Sequence, residues 1–361
     1  MGIIFKIDFL KFNKYLSASF LNYINLLIIN LSQIEKIKID ENNHCLIERD
    51  KEELSLEIKT EPKDYPHFTF VEDKNTEGSS KEINSAQFHV FIEFKQKCIE
   101  ENLIPNFDYF DDYYLLKFCR ARNFEIEKIL KMFRKFISWR SENEVDYISE
   151  NFYFKEFDEV LKIYPHGYHK VDRAGHPIYY QIISKLNAEK LFRLTTSERL
   201  IKYFIQTYEE TMKFRFKACS KARGELIDQA CVILDMEGIG ISDLFGKTRS
   251  FLNLAAKLGQ DYYPCNMDKM FMINTNKFFG VVYNIVKGLI DIGTRKKIEI
   301  LGNNYKEKIF EYIDPDNLPT FLGGNCTCSH ITGGCLFADI GPWNPEGKKL
   351  NYKFKDDDSD F

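Results

Sequence analysis

The chain has no surplus of charge of either sign: 50 Lys and Arg stand against 54 Asp and Glu, a net charge of −4 in 361 residues. Binding to nucleic acid through an overall field requires a cationic excess, so that partner class is excluded and any anion site must be local. Three common catalytic or nucleotide signatures are also missing: the phosphate-binding loop GxxxxGK[ST], the dinucleotide fingerprint GxGxxG and the nucleophile elbow GxSxG. The nine cysteines are an odd and scattered set, and Cys119 and Cys231 sit inside apolar runs where a free thiol acts as a small hydrophobe. This argues against a disulfide framework and for a reducing, intracellular compartment. A clean secretory signal is lacking too. The apolar run Phe20–Leu31 is broken by Asn22, Asn25 and Asn30 and has no small-residue cleavage site, and Gly2 is followed by Lys6 where a myristoylation motif has Ser or Thr. A poorly ordered extension is the expected state of this region, with an amphipathic membrane-surface segment as the alternative.

What the chain does have is an unusual segment, Lys277–Ile290, KFFGVVYNIVKGLI. Phe278, Val282, Ile285 and Leu289 form one helical face, and Phe279, Tyr283, Val286 and Ile290 form the next. A helix apolar around most of its girth must be buried, lie in a membrane, or alternate between the two. It is too short to span a bilayer, which takes about 20 apolar residues. The basic run Thr294-Arg295-Lys296-Lys297 and the strand-like IEIL follow it. A greasy helix beside a cationic, hydroxyl-bearing turn suits the handling of an anionic lipid. A buried core helix beside a solvated basic face is the other reading, and this segment leaves both open.

From Lys36 to Lys81 the sequence is rich in Glu, Lys, Asp, Asn, Thr and Pro and reads as a linker or irregular arm. Apolar spacings of three and four from Ser85 to Glu142 predict a small bundle of amphipathic helices. Beyond Phe157, strand and helix alternate. IYYQII (178–183), CVILD (231–235), the run from Phe271 and IEIL (298–301) read as strands, and Ser197–Ala222 as a long helix capped at Thr195 or Thr196. The alternation argues for a largely parallel sheet covered by helices.

Few side chains offer chemistry. His169 and Asp172 are close in sequence, but no nucleophile turn accompanies them, so both read as structural. Cys326, Cys328, His330 and Cys335 share a short Gly-rich loop; their spacing matches no standard zinc finger, so no metal site is expected. Asp235 closes a buried strand, where it either faces a ligand or caps a turn.

Four segments share one resemblance. DDYYLLKFCRARNF resembles the signature of the helical N-terminal subdomain of the CRAL-TRIO family. YPHGYHKVDRAGHPIYY, ACSKARGELIDQACVILDMEGIGIS and GQDYYPCNMDKMFMINTNKFFGVVY resemble its lipid-binding domain, and DNLPTFLGGNC and DIGPW extend the match. Within that family the likeness is to the Golgi phosphatidylinositol/phosphatidylcholine transfer branch. It implies an α/β fold: a mostly parallel five-stranded sheet flooring a hydrophobic pocket, preceded by a small all-α subdomain. The expected order is an extension over 1–80, a helical subdomain over 85–145, a lipid-binding domain over 155–345 and a polar tail over 346–361.

The resemblance further implies a role for each site. Arg122, Thr294 and Lys297 match the family's phosphoinositide-binding residues, and Tyr168, Tyr179 and Tyr208 its phosphatidylcholine-binding tyrosines. Phe278, Phe279, Val282, Tyr283, Ile285, Val286, Leu289 and Ile290 belong to its gate helix. The chain departs from the family pattern at Asn123, Cys265 and Asn266 near the inositol site, and at Ala230 and Val232, where the choline site carries hydroxyls. The expected function is binding and transfer of phosphatidylinositol between membranes or its presentation to a lipid kinase; a carrier or sensor of a sterol-like or isoprenoid ligand is the alternative. No catalysis and no cofactor besides the phospholipid cargo are implied. The expected partners are phospholipid, a transient membrane surface and a phosphatidylinositol kinase, and the expected location is cytoplasmic, on the surface of the Golgi or other endomembranes.

Overall fold

The computed structural model describes residues 37–39, 45–47, 59–72, 81–104, 109–239, 246–276, 279–280, 283 and 292–347. The chain divides into two compact units, 1–59 and 60–361. In the first, Ile37–Ile39 and Cys45–Ile47 pair as antiparallel strands.

The second unit opens with a helical layer. Helix α1 (Ser85–Glu100) begins at a capping box, in which the Asn84 side chain accepts from the Gln87 amide and the Gln87 side chain accepts from the Asn84 amide. Asp111 caps α2 (Asp112–Ala121), and α3 (Ile126–Glu142) follows. Phe88, Phe91 and Phe94 of α1 meet Phe118 of α2 and Phe133 and Phe136 of α3 in one apolar core. Phe94 and Phe118 both pack edge to face on Phe133, at 5.3 Å and 90° and at 5.0 Å and 84°. Part of the stretch that reads as an irregular arm joins this core. Tyr65 and Phe68 are buried in it, and Thr69–Phe70 pairs in parallel with Glu82–Ile83. Overall composition hides this, because two aromatic side chains suffice to anchor a polar segment.

Helices α4 (Val145–Asn151) and α5 (Phe157–Ile163) lead to the sheet. Strands β1 (His166–Val171) and β2 (Pro177–Ile182) are antiparallel. Then come α6 (Ala188–Leu194) and α7 (Ser197–Glu210), a π-helical turn (Thr211–Arg215) and α8 (Phe216–Arg223). Thr196 caps α7, and Gly224, at φ +76°, ends α8 in the left-handed conformation that glycine tolerates. Strand β3 (Ala230–Asp235), α9 (Gly246–Tyr262), β4 (Met267–Ile273), α10 (Ile292–Lys296), β5 (Ile298–Ile300) and α11 (Lys306–Tyr312) complete the fold. The sheet order is β1-β2-β3-β4-β5, and every pairing after the first is parallel. β1 is the strand that the periodicity misses, because a register shift between Tyr168 and Val171 breaks its alternation.

The two faces of this sheet differ in cover. Tyr180, Ile233, Phe271 and Ile273 are buried with Tyr305, Ile309, Leu318 and Leu322 from α11 and the turns beyond it. On the opposite face Tyr168, Tyr179, Val232, Met270 and Ile298 lie side by side in register across all five strands, and each is only half-buried. Apolar side chains on both faces explain why the strands read as continuous apolar runs.

Among the described residues, two buried ion pairs tie the helical layer to the sheet domain: Lys117 of α2 with Asp228 at 3.0 Å, and Arg140 of α3 with Glu209. Glu209 of α7 is fully buried and accepts from both terminal guanidinium nitrogens of Arg140 at 2.7 and 2.9 Å. The hydroxyls of Tyr109 and Tyr263 donate to it at 2.7 and 2.8 Å. Every oxygen of the carboxylate is therefore satisfied, which makes so deeply buried a charge tolerable. The substitution Glu209→Ala leaves the Arg140 charge without this partner and is expected to cost about 3–5 kcal/mol in urea-induced unfolding. A loss below about 1 kcal/mol would show that the pair does not hold the layers together.

Candidate ligand site

An open cleft of about 480 Å3, counting the space at its mouth, lies against the half-buried face of the sheet near β1 and β2. Tyr168 and Tyr179, paired across these strands, have ring centroids 4.9 Å apart. Tyr208 approaches from α7 and stacks on Tyr263 at 4.4 Å and 4°. Its hydroxyl runs against α9 at Gly259, where a Cβ would stand 2.7 Å from the phenol oxygen, so a side chain at this position would displace the phenol. Burial raises the pKa of all three phenols; the field of Tyr168 pushes Tyr208 up further, and both push Tyr179 up. The structure thus gathers Tyr168, Tyr179 and Tyr208 as one neutral set. Val232 is the neighbour of Tyr179 in register, and Ala230 is buried beside Phe216 and Ile227.

The cleft also holds residues that the sequence did not nominate. Arg215, from the π-helical turn, is 3% exposed; its guanidinium donates to Asp339 at 2.9 Å and lies over the Tyr168 ring at 4.6 Å. Trp343 fixes Asp339 by donating to its carboxylate at 3.1 Å. Burial raises the Asp339 pKa, and Arg215 opposes that shift. In KFRFKACSKAR the cations read alike, and only the tertiary fold selects Arg215 for burial. A widened turn inside a helix is a common device at binding sites, and here it delivers a cation, Arg215, onto the Tyr168 ring.

A second group forms at the other side of the sheet. Thr294 and Lys297 share one turn: the Lys297 amide donates to the Thr294 carbonyl at 3.1 Å, and its ammonium to the Met267 carbonyl at 2.8 Å. Burial raises the Cys265 thiol, and the nearby charges of Lys117, Lys297 and Arg120 oppose the rise. Arg122 stands apart. It ends α2, its guanidinium donates to the Ala121 carbonyl at 2.7 Å, and it makes no hydrogen bond to Thr294 or Lys297 among the described residues.

Of the gate segment, Phe279 is buried and Tyr283 half-buried, and both pack against the core that contains Leu200, Phe204 and Leu258. Phe278, Val282, Ile285, Val286, Leu289 and Ile290 lie outside the described residues. Asp172 accepts from the amides of Ala174 and His176 and pairs with the His176 ring at 3.0 Å, so it shapes a turn and makes no dyad with His169. Asp235 likewise receives the Glu237 amide at 3.1 Å and Asn274 at 2.9 Å, a turn-capping role.

The fold is thus an α/β domain with a helical preface and one apolar sheet face left partly uncovered. Residues 161–324 match the profile of the CRAL/TRIO domain and residues 91–135 that of the CRAL/TRIO N-terminal domain. The Sec14 cytosolic factor of Schizosaccharomyces pombe is 42% identical over 236 residues, 65% of this chain and 81% of that protein. The phosphatidylinositol/phosphatidylcholine transfer protein SFH12 of Arabidopsis thaliana is 41% identical over 255 residues, 70% of this chain and 46% of that protein. The chain spans about half the length of such plant relatives. The crystal structure of Sfh5 superposes with a TM-score of 0.50 at 17% identity, over 65% of this chain and 84% of that one, a likeness of fold. The chain belongs to the CRAL/TRIO family. Among the described residues no helix is long and apolar enough to cross a membrane.

His166 lines the cleft and carries a pH consequence. Its Nδ1 pairs with the Tyr164 carbonyl at 2.7 Å, which makes it the donor, so Nε2 accepts from the Tyr203 hydroxyl at 2.9 Å. Burial pushes its pKa down from 6.5 to about 4. A histidine neutral in the fold but protonated in the unfolded chain stabilises fully above pH about 6.5, and that contribution drains away towards pH 4. The expected outcome is a fall of about 3 kcal/mol in unfolding free energy across this window from His166. His166→Gln should flatten that part of the curve. An unchanged slope in the variant would assign the acid sensitivity elsewhere.

Proposed function

We propose that this protein binds a phospholipid with its acyl chains against the half-buried sheet face and transfers it between membranes, phosphatidylinositol being the preferred cargo. The observation that carries this is the row Tyr168, Tyr179, Val232, Met270 and Ile298: apolar, in register, and covered by the chain only in part. Desolvating such a surface is worth about 25 cal/mol per Å2, and an acyl chain does it without demanding hydrogen bonds. The relatives named as phosphatidylinositol/phosphatidylcholine transfer proteins support the same cargo class.

On this reading Thr294 and Lys297 hold the inositol-lipid phosphate by charge-assisted bonds, with Arg122 reaching it after a side-chain rearrangement. Lys117 and Arg120 add positive potential beside Cys265. Phe279 and Tyr283 belong to a gate that trades burial in the protein for burial in the bilayer. The protein acts as a carrier without covalent catalysis, works at the surface of Golgi or related endomembranes, and hands its cargo to a phosphatidylinositol kinase. Phosphatidylcholine fits less well. Its headgroup would meet Tyr168, Tyr179 and Tyr208 but would lack the hydroxyls that Ala230 and Val232 do not supply, at about 1–3 kcal/mol per unsatisfied buried group.

Two measurements follow. Lys297→Ala should lower phosphatidylinositol transfer between vesicles roughly ten- to hundredfold, the loss of one charge-assisted bond, while the melting curve shifts little. Wild-type transfer by the folded variant would remove Lys297 from the site. The double change Ala230→Ser with Val232→Thr should raise phosphatidylcholine transfer relative to phosphatidylinositol. Strong phosphatidylcholine transfer by the unaltered protein would show that the tyrosines suffice without added hydroxyls.

A further inference from the structure

Behind β1, on the side away from the tyrosines, three thiols and one imidazole converge. The reactive atoms of His169, Cys326, Cys328 and Cys335 all lie within 4.8 Å of one another. The sulfurs of Cys326 and Cys328 are 3.6 Å apart. His169 is fully buried, and neither of its ring nitrogens has a hydrogen-bond partner. A buried imidazole with two unpaired polar atoms is a costly arrangement unless something absent from the protein chain satisfies it. His330 shares the loop of these cysteines in sequence, where no metal site was expected, but it is exposed and outside the cluster.

We propose that His169, Cys326, Cys328 and Cys335 form a structural Cys3His site for Zn2+. The donor set is a standard one for tetrahedral zinc, and ligands on such an ion stand about 3.5–3.8 Å apart, the scale of the Cys326–Cys328 separation. Closing the widest pair onto an ion asks for shifts of about an ångström, which side-chain rotation supplies. Binding releases the three thiol protons and leaves a centre of net charge −1, with no change of oxidation state. Lys170 follows His169 directly and adds a positive charge near Cys326. No covalent bond within the chain joins the 326–335 loop to β1, and the metal would supply that tie. The same loop runs into Leu336, Phe337 and Asp339, which wall the cleft, so the ion would fix the mount of Asp339 against Arg215.

The test is metal content of the full chain, produced without a polyhistidine tag under reducing conditions. Inductively coupled plasma mass spectrometry after gel filtration should find one zinc per chain. Replacement by Co2+ should give thiolate-to-cobalt charge transfer in the near ultraviolet and tetrahedral d–d bands in the red. His169→Ala and Cys328→Ser should lose the metal, whereas His330→Ala should keep it. Since the first two variants can also lose their fold, the wild-type stoichiometry and cobalt spectrum decide. Zinc in fewer than about one chain in ten with no tetrahedral cobalt spectrum, or a disulfide among the three cysteines in place of metal, would overturn the assignment.

Discussion

The apolar row on the sheet is the constraint around which this molecule is arranged. A five-stranded sheet with apolar side chains on both faces needs cover on both, and α11 with its following turns seals only one. On the other face, Tyr168, Tyr179, Val232, Met270 and Ile298 remain half-buried. Over this face, α7 supplies Tyr203 and Thr207 to the cleft wall and is held at Glu209 by Arg140, Tyr109 and Tyr263. A buried pair with full hydrogen bonding is rigid as well as tolerated, which fixes the helix that walls the cleft.

Much of this was legible in the sequence, and the reason is periodicity. The helices of the first layer follow from the spacing of Phe88, Phe91 and Phe94 and of Ile129, Phe133 and Phe136; CVILD follows as a buried strand because nothing polar interrupts it. β1 was not legible, since Lys170 at φ +52° and the shifted register break its alternation. Tyr65 and Phe68 were hidden by the polar residues around them.

The site divides in the same way. The family resemblance named Tyr168, Tyr179 and Tyr208 as one set, and the fold brings them together because Tyr168 and Tyr179 are cross-strand partners and Tyr208 reaches in against Gly259. Arg215 and Asp339 could not be found by any local pattern: they are 124 residues apart and meet only through the turn of helix and the C-terminal loop. His169 shows the same limit. It lies in a strand far in sequence from Cys326, Cys328 and Cys335, and the spacing within the loop, which includes His330 but not His169, gave no reason to expect a metal there.

On the proposed function, one phospholipid completes the cover of the half-buried sheet face. Native mass spectrometry of the full chain purified from a eukaryotic host tests it most directly, with lipid identification by fragmentation of the released ligand. A single bound phospholipid per chain, predominantly phosphatidylinositol, is the expected result. A sterol-like or isoprenoid ligand, or a chain that remains folded with no lipid bound, would contradict it.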